Sequence, residues 1–263
     1  MAEWTPEQLQ RLQQTEMEIL ALLDRICTEH GIRYYLGAGT CLGAMRHAGM
    51  IPWDDDIDVY LHREEYEKLA KILPEALPSG YFYQSAATDP AYLYPFAKIR
   101  KDGTSFVQEA LRDLPMHHGV YIDLFPVDGA PKNALLRQWQ RARMFFLKRV
   151  SIGHILPRKA ERVVYGWLYK LVTRAAWQRK YDLYCRRYDS RKTGYSLCAA
   201  SDYAYRRELF PRAIFGEGKR VPFGELLLPV PNDAEAYLST MYGDWRTPPP
   251  PEARLSQHAP WRI

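Results

Sequence analysis

Four aspartates fall within five positions, Asp54, Asp55, Asp56 and Asp58, directly ahead of the apolar run Val59-Tyr60-Leu61. If residues 57–61 form a strand, its two-residue period puts Asp56 and Asp58 on one face and Ile57 and Val59 on the other. Two carboxylates side by side on a strand edge repel each other unless a cation lies between them. Hard oxygen donors of this kind suit magnesium or manganese, usually shared with substrate phosphates. A solvated acidic loop is the ordinary alternative for such a charge run. A calcium loop of the EF-hand type is excluded, because it needs Gly and Glu at its sixth and twelfth positions. Counted from Asp54 those are Val59 and Glu65, and from Asp56 they are Leu61 and Glu67, so neither register supplies the glycine.

The elements that position these acids begin upstream. Residues 32–36 (Ile-Arg-Tyr-Tyr-Leu) read as a short buried strand running into Gly37-Ala38-Gly39-Thr40, with a helical signal from Leu42 to His47. The two glycines allow a tight turn and close approach to a ligand at a helix start, where a phosphate can sit. A glycine-rich turn after one strand, followed by D-h-D (h apolar) opening the next, is the pattern of the nucleotidyltransferase superfold.

Residues 117–129 read His-His-Gly-Val-Tyr-Ile-Asp-Leu-Phe-Pro-Val-Asp-Gly. A carboxylate inside an otherwise apolar strand must be paired, protonated or metal-bound, since burying it bare costs several kcal/mol. Asp123 is therefore the natural third carboxylate, ahead of Asp128, which the Pro126-Val127-Asp128-Gly129 sequence places in a turn. Lys98 and Arg100 alternate with Ala97 and Ile99 and share one face of a strand, as a solvated edge or as a phosphate contact. His117 and His118 read as loop caps or ligand contacts rather than metal ligands.

The stretch from Thr40 to Asp58, T-C-L-G-A-M-R-H-A-G-M-I-P-W-D-D-D-I-D, resembles the signature of the LicD family, the bacterial phosphocholine transferases related to the fukutins. Residues 119–129 resemble its second block, and Tyr242-Gly243-Asp244-Trp245 with the proline run that follows resembles its C-terminal block, so the likeness spans about residues 32–258. The resemblance implies an α+β fold, a nucleotidyltransferase-like mixed β-sheet flanked by helices. It implies Asp56, Asp58 and Asp123 as catalytic, metal-binding residues for Mg2+ or Mn2+. Gly39, Thr40, Arg46, His47, Trp53, Lys98 and His258 are the expected substrate-binding residues, with Trp53 or a nearby tyrosine facing a choline-like cation. The zinc site of some eukaryotic members has no evident ligand set here.

The remainder reads as support. Thr5-Pro6-Glu7-Gln8 is a capped helix start, and the helix is expected to run to His30 with Gly31 as its stop and Leu9, Leu12, Ile19, Leu20, Leu23 and Ile26 buried. Residues 62–77 read as a second amphipathic helix. Tyr81 to Tyr83 and Tyr94 to Arg100 read as strands, and Asp102-Gly103 as a hairpin turn leading into a strand over Thr104 to Gln108. A short helix from Pro231-Asn232-Asp233 to Tyr242 precedes the prolines at 248–251, which form a stiff segment able to lie across a cleft, with His258 beyond it. Cys27, Cys41, Cys185 and Cys198 have no metal spacing and read as free buried thiols.

With 263 residues, 47% of them hydrophobic, the chain can bury a sizeable core. No run approaches a membrane span and no signal-peptide layout opens the chain, so a cytoplasmic protein is expected. The expected organisation is a catalytic core over residues 1–131, a basic helical insertion over 132–192, and a return to the core over 193–263. The insertion carries seventeen Lys and Arg against three acids, a net of +14 within a chain whose total is +5. It reads either as a helical subdomain with a solvated basic face or as a surface for an anionic partner, such as a lipid-linked glycan at the inner membrane face; nucleic acid is not expected, for want of a reader motif.

The expected activity is transfer of a phosphocholine-like group from a nucleotide diphospho-alcohol such as CDP-choline to a glycan hydroxyl. Nucleotidyl transfer would use the same aspartates, and a glycan-binding protein with a degenerate site is the non-enzymatic alternative.

Overall fold

The computed structural model describes residues 4–151, 160, 163–167, 173–254, 256 and 260–262. The chain opens with α1 (Pro6–Glu29), whose Thr5 and Gln8 form the reciprocal capping box that the sequence signals. Its buried stripe includes Leu12, Ile19, Leu20, Leu23 and Ile26, with Leu9 at the margin, and the helix ends at His30, where Gly31 takes a positive φ of 61°. Then follow β1 (Tyr35–Leu36), α2 (Ala38–His47), β2 (Asp58–His62), α3 (Arg63–Ala76), β3 (Tyr81–Gln84), β4 (Ala97–Lys101), β5 (Val107–Gln108) and β6 (Tyr121–Gly129). The sheet runs β1-β2-β6-β4-β3, with β2 and β6 parallel and the other neighbours antiparallel. The result is the α+β, nucleotidyltransferase-like mixed sheet flanked by helices. On one face Ile57, Val59, Ile99, Ile122 and Leu124 are buried in the main core together with the α1 stripe. The other face carries the polar residues of the site.

Beyond β6 lie α4 (Ala134–Ser151), a helical stretch at 163–167, α5 (Arg174–Cys185), α6 (Ser190–Thr193), β7 (Tyr195–Leu197) and β8 (Leu209–Pro211). Strand β7 pairs with the far end of β6, and β8 with β7. A separate small core of Ala130, Met144, Leu147, Tyr181, Cys185 and Leu197 joins α4 and α5 to this extension. The hairpin of β9 (Lys219–Phe223) and β10 (Leu226–Val230), the helix α7 (Ala234–Tyr242) and β11 (Pro260–Arg262) complete the order. All four cysteines are free and buried.

Three local expectations are corrected. Strand β4 does not turn back into β5. Although Asp102-Gly103 does turn, with Gly103 at φ 71°, β5 pairs with β11 instead, because β4 already has β3 and β6 on its two sides. For the same reason Lys98 and Arg100 are not on a solvated edge; each is 2% exposed. Asp128 is not in a turn but in β6, which continues to Gly129, and Arg63 donates to both of its carboxylate oxygens at 2.7 Å. That fork-to-fork pair satisfies a buried charge far better than a turn hydrogen bond could.

Candidate functional site

Strand register assembles the site. Across the parallel β2/β6 pair Asp58 stands opposite Asp123, and across the antiparallel β6/β4 pair Asp123 stands opposite Lys98. Residues in register point to the same face, so carboxylate, carboxylate and ammonium form one row across three strands. The two-residue period then places Tyr60 beside Asp58, Tyr121 and Phe125 beside Asp123, and Phe96 beside Lys98. These side chains, with Asp56, Gly39, Tyr94 and the segment from Ala200 to Tyr203, line a cavity of about 120 Å³.

The electrostatics are lopsided. Burial, reinforced by Asp56 and Asp123, raises the proton affinity of Asp58 well above the usual carboxylate range. Asp54 is raised likewise, by burial and by Asp56. One oxygen from each of Asp54, Asp55 and Asp56 lies within 4.8 Å of the others. On α1, Glu16 is fully buried, neither of its oxygens has a hydrogen-bond partner, and its proton affinity is raised by burial and by the same aspartates. The cation in contact with this array is Lys98. It donates to Asp123, lies 3.3 Å from the centroid of the Tyr121 ring, and is pushed down to about 8 by burial. An all-oxygen donor set with excess negative charge fits a hard divalent cation, so Asp56, Asp58 and Asp123 have the chemistry to hold Mg2+ or Mn2+.

The glycine turn works through space rather than through glycine φ values. The positive φ belongs to Ala38, at 37°. Gly37 is required because a Cβ there would lie 2.1 Å from the Tyr60 ring, while a Cβ at Gly39 would lie 3.0 Å from Asp54 Oδ2. Ala38 N–H donates to the Tyr237 hydroxyl, and Gly37 N–H donates to the Asp58 carbonyl. Thr40 is buried, and its hydroxyl accepts the Asp58 N–H at 2.8 Å. Thr40 therefore positions the start of β2, while Gly39 lies on the cavity wall.

The other expected substrate residues separate into two places. Lys98 is inside the cavity. Arg46, His47 and Trp53 form a group outside its lining: Arg46 donates to the Trp245 carbonyl at 3.0 Å, the His47 and Trp53 rings meet edge to face at 6.1 Å, and Arg254 covers the Trp53 ring at 5.1 Å. A cation already occupies the ring face expected to meet choline. Ser256 donates to the Trp53 carbonyl, so the proline-rich tail does fold back onto this group, while His258 lies outside the described residues. His117 interacts with Asp102 at 2.8 Å and stacks on Phe82; His118 contacts the Leu114 carbonyl.

Sequence reading missed Glu16, Glu208 and the 200–203 wall. Glu16 carried a signal, a carboxylate four residues after Leu12 and four before Leu20 on the buried stripe of a helix taken as scaffold. Glu208 is 1% exposed, accepts from Tyr60 Oη at 2.8 Å and Ser201 Oγ at 2.5 Å, and is pushed up to about 7 by burial. Neither it nor the wall has a period or spacing that marks it, since their approach depends on β7 and β8 extending the sheet.

A D-x-D strand start set in parallel register beside a third aspartate, under a helix entered through glycines, defines a nucleotidyltransferase-like protein with an acidic site. Comparison with known proteins agrees: the LicD/FKTN/FKRP nucleotidyltransferase domain matches residues 31–149. The lipopolysaccharide cholinephosphotransferase LicD of Haemophilus influenzae is 28% identical over 258 residues, covering 92% of both chains. The human ribitol 5-phosphate transferase FKRP is 38% identical over 63 residues, 24% of this chain and 12% of that one. Residues 31–149 thus carry a LicD/FKTN/FKRP nucleotidyltransferase domain, and with the likeness along the rest of the chain to a cholinephosphotransferase this makes the protein a transferase of substituted phosphate groups.

Proposed function

We propose that this protein moves a phosphocholine-like group from a nucleotide diphospho-alcohol of the CDP-choline type to a hydroxyl of a cell-surface glycan precursor, lipopolysaccharide or teichoic acid, on the cytoplasmic side of the membrane. The observation that carries the reading is the row Asp58–Asp123–Lys98 on one sheet face, floored by aromatic rings. The printed activity of the LicD relative, cholinephosphotransfer to lipopolysaccharide, supports the choice of donor and acceptor.

Asp56, Asp58 and Asp123 would hold Mg2+ or Mn2+, which when bound supplies charge neutralisation for the diphosphate. The chain's own residues do the rest. Gly39, at the first turn of α2, presents its backbone to phosphate oxygens, and Lys98 supplies a charge-assisted donor from the cavity floor. The acceptor hydroxyl attacks the phosphorus that bears the alcohol, the bond from that phosphorus to the bridging oxygen breaks, and the nucleoside monophosphate leaves. The hydroxyl proton passes to a site carboxylate, for which Asp123, held at the cavity wall by Lys98, is placed. Tyr94 and Phe96, stacked with centroids 5.1 Å apart at the cavity wall and with the Lys98 ammonium 5.7 and 5.3 Å from them, form the aromatic wall against which a quaternary ammonium would compete with Lys98, a contact worth about 0.5–2 kcal/mol.

Incubation with magnesium and a panel of nucleotide diphospho-alcohols, followed by phosphorus NMR, tests the reading. Release of CMP from CDP-choline, with the phosphoalcohol appearing on an acceptor or in water, is the expected result. Transfer of the nucleoside monophosphate itself to the acceptor would establish nucleotidyl transfer instead. Failure to cleave or bind any donor would remove the assignment.

A further inference from the structure

Helix α4 has two apolar sides, and the fold uses one. Gln140, Met144, Leu147 and Val150 are buried, with Met144 and Leu147 packed against Tyr181 and Cys185 of α5. On the outer side Leu135, Trp139, Ala142 and Phe146 follow one another at steps of four, three and four, which at 100° per residue is a single line along the helix. Leu135 is 75% exposed and Trp139 74%. The Phe146 ring lies 6.3 Å from that of Tyr165, so the line continues onto the 163–167 stretch, where Val163 and Trp167 are also exposed. Arg143 and Arg149 fall on either flank of the line by the same angular count. Helix α4 contains five Lys and Arg and no acidic residue.

We infer that this outer face of α4 is a docking surface for an anionic lipid bilayer. Contiguous exposed apolar surface marks an interaction site, and tryptophan among basic residues on a convex helix is the chemistry of the bilayer interface, where the rings sit at headgroup depth and the cations meet lipid phosphates. Each basic group held near an anionic surface adds to the attraction. A second copy of the chain fits worse, because it would bring together two regions of net charge +14 each.

The same helix reaches the site. Lys148 donates to the carbonyls of Ala200 and Ser201 at 3.1 and 2.9 Å and pairs with Asp202 at 2.7 Å, and these three residues line the cavity. By the same angular count Lys148 lies about 150° from the apolar line, so a bilayer on the outer face lies about one helix diameter, roughly 10 Å, from the side chain that reaches the cavity wall. On the functional reading above, this is where a lipid-linked acceptor glycan would arrive; the docking surface itself stands on exposure and charge alone.

The test is flotation of the full-length protein with vesicles of phosphatidylcholine alone or with about one-third phosphatidylglycerol, free of donor and acceptor. The expected result is binding to the anionic vesicles, lost on raising salt and weakened roughly tenfold by Trp139→Glu or Leu135→Glu. Both positions are solvent-exposed, so unchanged circular dichroism and unchanged CMP release from soluble donor would accompany the loss. Anionic-vesicle binding that Trp139→Glu and Leu135→Glu leave intact overturns the inference. So does absence of vesicle binding together with a dimer, or a complex with an acidic protein, that Trp139→Glu dissociates. Because the vesicles carry no substrate, a failed transferase assay leaves this outcome untouched, and failed flotation leaves the transferase reading untouched.

Discussion

Replacing Glu208 by Gln isolates a buried proton that the fold holds behind the cavity. Glu208 titrates near 7 in the native state against 4.5 in an unfolded chain, because burial disfavours its charge more than the Tyr60 and Ser201 hydrogen bonds favour it. The native state thus binds this proton more tightly, so the stabilisation is complete below pH 4.5 and is lost as pH rises to 7 and beyond. Two and a half pH units at 1.36 kcal/mol each amount to about 3 kcal/mol. His62 acts in the opposite sense: burial pushes it down to about 4 from 6.5, so its share of stability grows as pH rises across that interval, by about 3 kcal/mol as well. In the wild type the two slopes largely cancel between pH 4.5 and 6.5. Glu208→Gln keeps an oxygen at the position that accepts both hydroxyls and removes only the carboxyl slope. Urea unfolding in EDTA at pH 4.5, 5.5, 6.5 and 8 is then expected to show the variant gaining on the wild type by about 3 kcal/mol from the lowest to the highest pH. The other raised carboxyls, Glu16, Asp54 and Asp58, are common to both proteins and drop out of the difference. A stability difference that does not change with pH would refute the reasoning.

Asp58→Asn is expected to lower turnover roughly a thousandfold while leaving the metal-free protein at least as stable as the wild type, since it removes a buried charge repelled by Asp56 and Asp123; a loss of thermal stability in EDTA would count against the site. Magnesium at a fixed concentration, a hundred times its dissociation constant at pH 8, should stabilise the wild type by about 2.7 kcal/mol there and by less at pH 5, because the raised proton affinities of Asp54, Asp58 and Glu16 set protons in competition with the ion. A thermal-shift titration at the two pH values reads this directly, and equal shifts would show that these acids are not involved. Gly37→Ala should cost about 3 kcal/mol or more in urea unfolding, because the new Cβ meets the Tyr60 ring at 2.1 Å and that ring is tethered to Glu208. Gly39→Ala, whose Cβ would lie 3.0 Å from a carboxylate oxygen of Asp54 rather than 2.1 Å from a ring, should cost far less stability and act chiefly on activity.

The sequence by itself determined what is local. Capping chemistry set the start of α1, the glycine turn preceded a helix, and alternation along residues 56–61 put Asp56 and Asp58 on the face opposite Ile57 and Val59. An acid inside an apolar strand marked Asp123, because a buried charge must find a partner whatever the fold. Only the tertiary structure decided which partners were found. Parallel pairing of β2 with β6 set Asp58 against Asp123, and the interior place of β4 buried Lys98 where alternation alone allowed a solvated edge. Arg63, at the start of a helix, claimed Asp128 and left Asp123 to the site. The return of residues 200–208 over the cavity, the approach of Glu16 from α1 and the second, uncovered side of α4 also depend on contacts between segments far apart in the chain. Periodicity reports which face of an element is apolar; it carries no information about which neighbour, if any, that face will meet.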